Sequence, residues 1–231
     1  MKKLISKKEL LDYIHDGDTL LVGGFGLSGT PLTILDRIAE SPLKELTVIS
    51  NNLGEEKKGL GKLLEKRQLK KAIGSYFTTN RDAVREWSQG KLEIELVPQG
   101  TLAEAIRCGG AGLGGFYTKT AVGTQLALNK EEKVIDGETF IFEKAIKGDV
   151  SLIKATKADR LGNLVYEHTS RNFNAVMATA GKIVIAEVDE IVETGTFSPS
   201  EIVTPHVYVD YIVKSDYVKK GGKYLESSQS N

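Results

Sequence analysis

The stretch TLLVGGFGLSGTP, Thr19 to Pro31, limits the possible folds more than any other part of this chain. Its apolar opening has no polar alternation, which suits a strand buried on both faces, and such strands belong to parallel sheets covered by helices on each side. Glycines then allow a sharp turn. Pro31 follows, and proline is well suited to the first position of a helix. The local reading is strand, glycine turn, helix.

The pattern recurs downstream. LTVIS, KKAIGSYF and LEIELVPQ read as strands, LGKLLEK as a short helical piece, and Asn80 as the cap of a helix through Trp87. Ser6 with Glu9 forms a capping-box pattern, predicting an opening helix that ends near Asp16-Gly17; Thr101 with Glu104 forms a second, predicting a helix TLAEAIRC that stops at Gly109-Gly110. Strands alternating with helices imply an open, mostly parallel α/β sheet flanked by helices. In the second half, TFIFEKAI, VSLIKATKA, NLVYEH, KIVIAEV and VYVDYIV are strand-like with few helices between them, so hairpins added to the sheet are expected. One domain over residues 1–216 is expected, and the polar tail of residues 217–231 reads as disordered.

Charge and cysteine content exclude several functions. Lys and Arg number 31 and Asp and Glu number 31, so no net field draws nucleic acid or an anionic membrane. Cys108 is the only cysteine, which rules out an internal disulfide or a site built from several thiolates. His15, His168 and His206 lack metal-ligand spacing, and no metal site is expected. The opening MKKLISKKELLDYIHDGD has no apolar run of signal-peptide length, and no run approaches the roughly 20 residues of a membrane helix. A cytoplasmic location is expected.

Gly24-Phe25-Gly26-Leu27-Ser28-Gly29 matches G-x-G-x-x-G between a predicted strand and helix, the setting of a dinucleotide fingerprint. That fold also wants an acid at the end of the next strand, where this chain has Ser50-Asn51-Asn52. An NAD-dependent oxidoreductase therefore rests on the glycines alone. A phosphate, pyrophosphate or carboxylate would suit glycine amides beside a helix N-terminus; a tight turn without ligand is the other reading.

The longer string DGDTLLVGGFGLSGTP (Asp16 to Pro31) resembles the signature of the alpha subunit of family I coenzyme A transferases. SNNLGEEKKGLG (Ser50 to Gly61), ELVPQGTLAEAIRCGGAGLGGFYT (Glu95 to Thr118), KADRLGN (Lys157 to Asn163) and RNFN (Arg171 to Asn174) resemble further blocks of that subunit in the same order. The resemblance covers roughly residues 1 to 214. It implies an enzyme that moves coenzyme A between a short acyl-CoA and a short carboxylic or 3-oxo acid by way of a glutamyl-CoA thioester. Coenzyme A is then a substrate, with no permanently bound cofactor. The family's nucleophilic glutamate lies in a Ser-Glu-Asn-Gly-like stretch of a beta subunit, and no such stretch occurs here. Glu193-Thr194-Gly195 matches only superficially. The resemblance thus implies half an active site, completed by a beta subunit, in a heterotetramer.

Residue by residue, the resemblance implies that Gly23, Gly24, Phe25, Gly26, Leu27, Ser28 and Gly29 contribute to the coenzyme A site. It makes Gln99, in the Pro-Gln-Gly-Thr block, the oxyanion donor, and places Asn51 and Asn52 against the acyl substrate. Plain turn roles remain open for Gln99, Asn51 and Asn52, since such side chains often bond local backbone. The match loosens at Glu55 to Lys58, where related chains carry fewer positive charges, and at Ala127 to Glu138. IRCGGAGLGGF is closer to the acetate or butyrate enzymes than to the succinyl type. A non-catalytic module binding a sugar phosphate or acyl-CoA is the alternative function.

Overall fold

The computed structural model describes residues 3–220 and 223–226. Its first half alternates strands and helices: β1 (Thr19–Val22), α1 (Leu32–Ala39), β2 (Leu46–Ile49), α2 (Leu60–Glu65), β3 (Leu69–Gly74), α3 (Arg81–Ser88), β4 (Glu93–Leu96) and α4 (Gln99–Gly110). There follow β5 (Gly115–Thr118), β6 (Glu132–Ile135), β7 (Glu138–Lys144), β8 (Gly148–Asp159), β9 (Leu164–Val165), α5 (Asn174–Met177), β10 (Gly181–Val192), β11 (Tyr211–Lys214), β12 (Tyr217–Lys220) and β13 (Lys223–Glu226).

The main sheet has the order β11-β10-β8-β1-β2-β3-β4. Every pairing along it is parallel; only β9, hung on β8, is antiparallel. β1 sits between β2 and β8, and Leu20, Leu21 and Val22 are fully buried, as an apolar strand without alternation requires. Successive side chains enter opposite cores: Leu20 and Val22 join the core beneath α1 and α2, and Leu21 joins the one beneath α4 and α5. Burying each such side chain contributes about 1.5–3 kcal/mol.

The second half departs from the hairpin expectation. β8, β10 and β11 extend the parallel sheet, while β5, β7 and β6 form a separate antiparallel sheet. The return from β8 to β10 runs through β9, a 3-10 turn at His168–Arg171 and the short α5, a crossover too irregular to show helical periodicity.

Two helix starts also differ. Ser6 and Glu9 make the reciprocal bonds of a capping box (Ser6 N to Glu9 Oε2 2.7 Å, Glu9 N to Ser6 Oγ 3.2 Å). They open only a 3-10 segment, Glu9–Tyr13, which stops short of Asp16 because Ile14 is extended. Thr101 does not cap α4. Pro98 takes that position, so the helix starts at Gln99, and Glu104 instead holds Arg107 through two bonds. Asn80 does cap α3, accepting from the amides of Asp82 and Ala83. In the tail, β12 and β13 pair as an antiparallel ribbon, and Tyr217 ties its start to Asp36. Residues 221, 222 and 227–231 lie outside the described residues.

Candidate active site at the strand ends

In a parallel sheet, every strand presents its carboxyl end on the same side, and loops there build the site. Here the ends of β1, β2, β3 and β4 deliver Gly23–Thr30, Ser50–Asn52, Ser75–Tyr76 and Pro98–Gln99 to one place. Between them lies an open cavity of about 450 Å³, lined by Phe25, Gly26, Asn51, Asn52, Gly54, Glu55, Ser75, Tyr76, Thr79 and Gln99.

Gln99 and Asn51 form a pair across it. Gln99 Nε2 donates to Asn51 Oδ1 at 2.6 Å, and Ser75 Oγ donates to the same oxygen at 3.0 Å. Asn51 is buried, and its carbonyl oxygen accepts the amides of Ser75 and Tyr76. The acceptor is therefore rigid, while Gln99 itself is exposed to the cavity. One of the two amide hydrogens of Gln99 is committed to Asn51, which leaves the other for a ligand. No side chain caps α4, whose first residue, Gln99, lines the same space. Asn52, also buried, bridges to Tyr76 and lines the cavity.

The glycine loop has a different logic from a dinucleotide turn. Phe25 and Ser28 exchange amide–carbonyl bonds (3.0 and 3.1 Å) around the tip, with Gly26 at φ 62°. A Cβ on Gly23 would lie 1.8 Å from Asn174 Oδ1, and one on Gly29 2.5 Å from the Ser170 carbonyl. These glycines are needed for packing against the chain itself. Asn172 Oδ1 accepts the Gly24 amide at 3.1 Å, and Asn174 Nδ2 donates to the Gly29 carbonyl at 2.9 Å. Leu27 turns toward the second βα loop, near Gly59. Phe25, Gly26 and Ser28 are left facing open space, Phe25 and Gly26 in the main cavity and Phe25 and Ser28 in an adjoining hollow with Thr169 and Asn172.

The helix N-terminus behind the loop already has its anion. Glu187 Oε2 accepts the Ile34 amide at 3.1 Å inside α1, and its Oε1 accepts from Ser215 Oγ at 2.6 Å and Lys154 Nζ at 3.3 Å. Lys154 also donates to Asp189 at 2.5 Å. Glu187 and Lys154 are almost wholly buried. The first turn of α1 thus already has a protein acceptor on the Ile34 amide, which a bound pyrophosphate would otherwise use.

The remaining candidates lie elsewhere. Glu193 is exposed and paired with Arg160, and Gly195 lies beyond the end of β10; neither lines the cavity. Cys108 is buried in α4, and burial, followed by the Glu104 carboxylate, raises its pKa and keeps it a thiol. His206 rests against Asn163, and His15 against Asp18.

A family model described as coenzyme A transferase matches residues 5–215. The chain belongs to the coenzyme A transferase family. It is 53% identical over 212 residues to one subunit of a probable succinyl-CoA:3-ketoacid coenzyme A transferase of Bacillus subtilis, covering 92% of this chain and 89% of that one. It is 42% identical to the alpha subunit of the acetate CoA-transferase of Escherichia coli, covering 94% and 99%. Among solved structures, the acyl-CoA transferase YdiF of E. coli O157:H7, in a thioester complex with CoA, superposes with a TM-score of 0.85 at 22% identity. That match covers 97% of this chain and 49% of the other, so this chain spans about half of YdiF. A likeness so distant speaks for the fold alone, and the same fold also appears in the decarboxylase AibA/AibB (TM-score 0.79, 23% identity, 93% of this chain and 84% of that chain). Among the described residues no helix is long and apolar enough to cross a membrane.

Sequence reasoning named Gln99, Asn51 and Asn52, which the structure places around one cavity, but missed what holds them. Asn172 and Asn174 strap the glycine loop from 148 and 145 positions away. RNFN stood out in the sequence only as a block of resemblance, and no local pattern announces a strap. Tyr76, Thr79 and Glu55 carried no catalytic signature and emerge only as cavity lining.

Proposed function

We propose that this chain is the alpha subunit of a two-subunit coenzyme A transferase. It moves coenzyme A between a short acyl-CoA and a short carboxylic or 3-oxo acid, and a beta subunit supplies the nucleophilic glutamate. The observation that carries this reading is the Gln99–Asn51 pair set over an open cavity beside the uncapped start of α4. When a carboxylate attacks a thioester, the carbonyl oxygen gains negative charge, and a preoriented N–H donor stabilises it as it forms. Gln99 has the free hydrogen for that role, and Asn51 orients it. Asn52 lines the acyl side, while Gly23 to Gly29 present Phe25, Gly26 and Ser28 to the coenzyme.

The split between two chains is supported by the names of the B. subtilis and E. coli relatives, each of which is one subunit of a transferase. Among the described residues, Glu55 is the one acid lining the cavity; it is half-exposed and paired with Lys58 at 3.3 Å. We read residues 1–216 as one functional unit, a heterotetramer as the working assembly and the cytoplasm as its location. The test is reconstitution. The purified chain alone should show no transfer from acyl-CoA to acetoacetate, and adding the separately purified beta subunit should restore it. Full turnover by this chain alone would overturn the proposal.

A further inference from the structure

The turn EEKK (Glu55 to Lys58) borders the cavity, with Gly54 and Glu55 in its lining. Gly54 (φ 62°), Lys57 (φ 59°) and Gly59 (φ 53°) all take left-handed backbone there. The Lys58 amide donates to the Glu55 carbonyl at 3.0 Å, and the Gly61 amide donates to the Lys58 carbonyl at 3.0 Å. Packing fixes the turn further. A Cβ on Gly61 would fall 1.9 Å from the Glu55 carbonyl oxygen, and one on Gly54 2.5 Å from that of Lys58. The backbone of Glu55 therefore has one place, at the edge of the space that Gln99, Asn51 and Tyr76 line.

Among the described residues, Glu55 is also the only lining residue with a formal charge; the others are neutral. Lys58, which balances it at 3.3 Å, is exposed and does not line the cavity. The half-site of this chain thus offers no cation to a substrate's distal carboxylate and sets a like charge in its way.

Resting on the transferase reading above, we propose that Glu55 is a specificity-determining residue that disfavours acyl groups bearing a second carboxylate. The favoured substrates are monocarboxylic acyl groups, such as unbranched or 3-oxo chains. This runs against the substrate in the name of the 53% identical relative, because identity averaged along a chain does not weigh one residue at the cavity edge.

Butyryl-CoA and succinyl-CoA are a suitable pair of probes, since both acyl groups have four carbons and differ in a terminal methyl or carboxylate. With the complete alpha–beta complex, kcat/KM for transfer to acetoacetate should favour butyryl-CoA. Glu55→Gln should move the succinyl-to-butyryl ratio upward by about tenfold, the size of a repulsion between unit charges some 5–6 Å apart at intermediate dielectric. Lys58→Gln, which unmasks Glu55, should move the ratio the other way. A ratio unchanged within about twofold in both variants, or a wild-type preference for succinyl-CoA, overturns the assignment. Transfer from neither donor by the wild-type complex overturns the transferase reading itself, and this inference with it.

Discussion

If Asn51 acts on the reaction through Gln99, its removal should matter only while Gln99 is present. Asn51→Ala deletes the acceptor of the 2.6 Å bond that holds the Gln99 amide. Gln99 is exposed, and among the described residues its side chain has no second hydrogen bond to replace that anchor. Holding a free glutamine side chain still costs up to about 1.5–2 kcal/mol, and a hydrogen bond of this kind contributes about 0.5–1.5 kcal/mol net. The substitution should therefore raise the barrier by about 1–2 kcal/mol, a loss of roughly 5- to 30-fold in kcat/KM. Gln99→Ala, removing the oxyanion donor itself, should cost about 2–4 kcal/mol. In the double variant there is no amide left to orient, so its cost should equal that of Gln99→Ala. The assay is steady-state transfer by the alpha–beta complex, with thermal melting to verify that each variant is folded. If the two costs add to within about 0.3–0.5 kcal/mol, Asn51 acts on the substrate directly and the orienting role is wrong.

Three further outcomes follow from the packing. Gly23→Ala, whose Cβ would sit 1.8 Å from Asn174 Oδ1, should lose soluble yield or melt far below the wild type. Gly26→Ala meets no atom within 4 Å and should cost only the left-handed backbone strain, about 1–2 kcal/mol; equal melting temperatures for the two would contradict the packing role of Gly23. Glu187→Ala strips an acceptor from Lys154, Ser215 and Ile34 and should lower unfolding free energy by about 3–5 kcal/mol in urea titration, a loss below about 1 kcal/mol being the contrary result. Asp149 accepts from Lys182 Nζ at 2.7 Å and the Thr19 amide at 2.9 Å, and these bonds hold its carboxyl below the ordinary range. The stability it lends is thus present above the unfolded value of about 3.9 and is lost as pH falls through the lowered folded value. Asp149→Asn should flatten that acid limb; a melting profile between about pH 2 and 5 as steep as the wild type's would count against it.

What could be read from the sequence was local. The run through β1, the glycine turn and α1 could be placed because burial on both faces and the proline start each leave a mark within a few residues. The Asn80 cap was readable for the same reason. Gln99 and Asn51 were marked by resemblance, and the parallel pairing of their strands brings them together. The insertion of β8 between β1 and β10 left no mark, since a strand's own pattern does not name its neighbours, and the short α5 hid the crossover that makes β10 parallel. Nor could the sequence show that loop glycines answer Asn174 and Ser170 rather than a ligand, or that Glu187 occupies the α1 N-terminus. Each of those contacts joins segments more than a hundred residues apart.

The division of labour between two chains can be measured directly. The intact complex is incubated with acyl-CoA, denatured, digested and examined by mass spectrometry for the residue that carries coenzyme A as a thioester. The adduct should map to a glutamate of the partner subunit, with every peptide of this chain unlabelled. A label on this chain, above all on Glu55 at the edge of the cavity, would contradict the account.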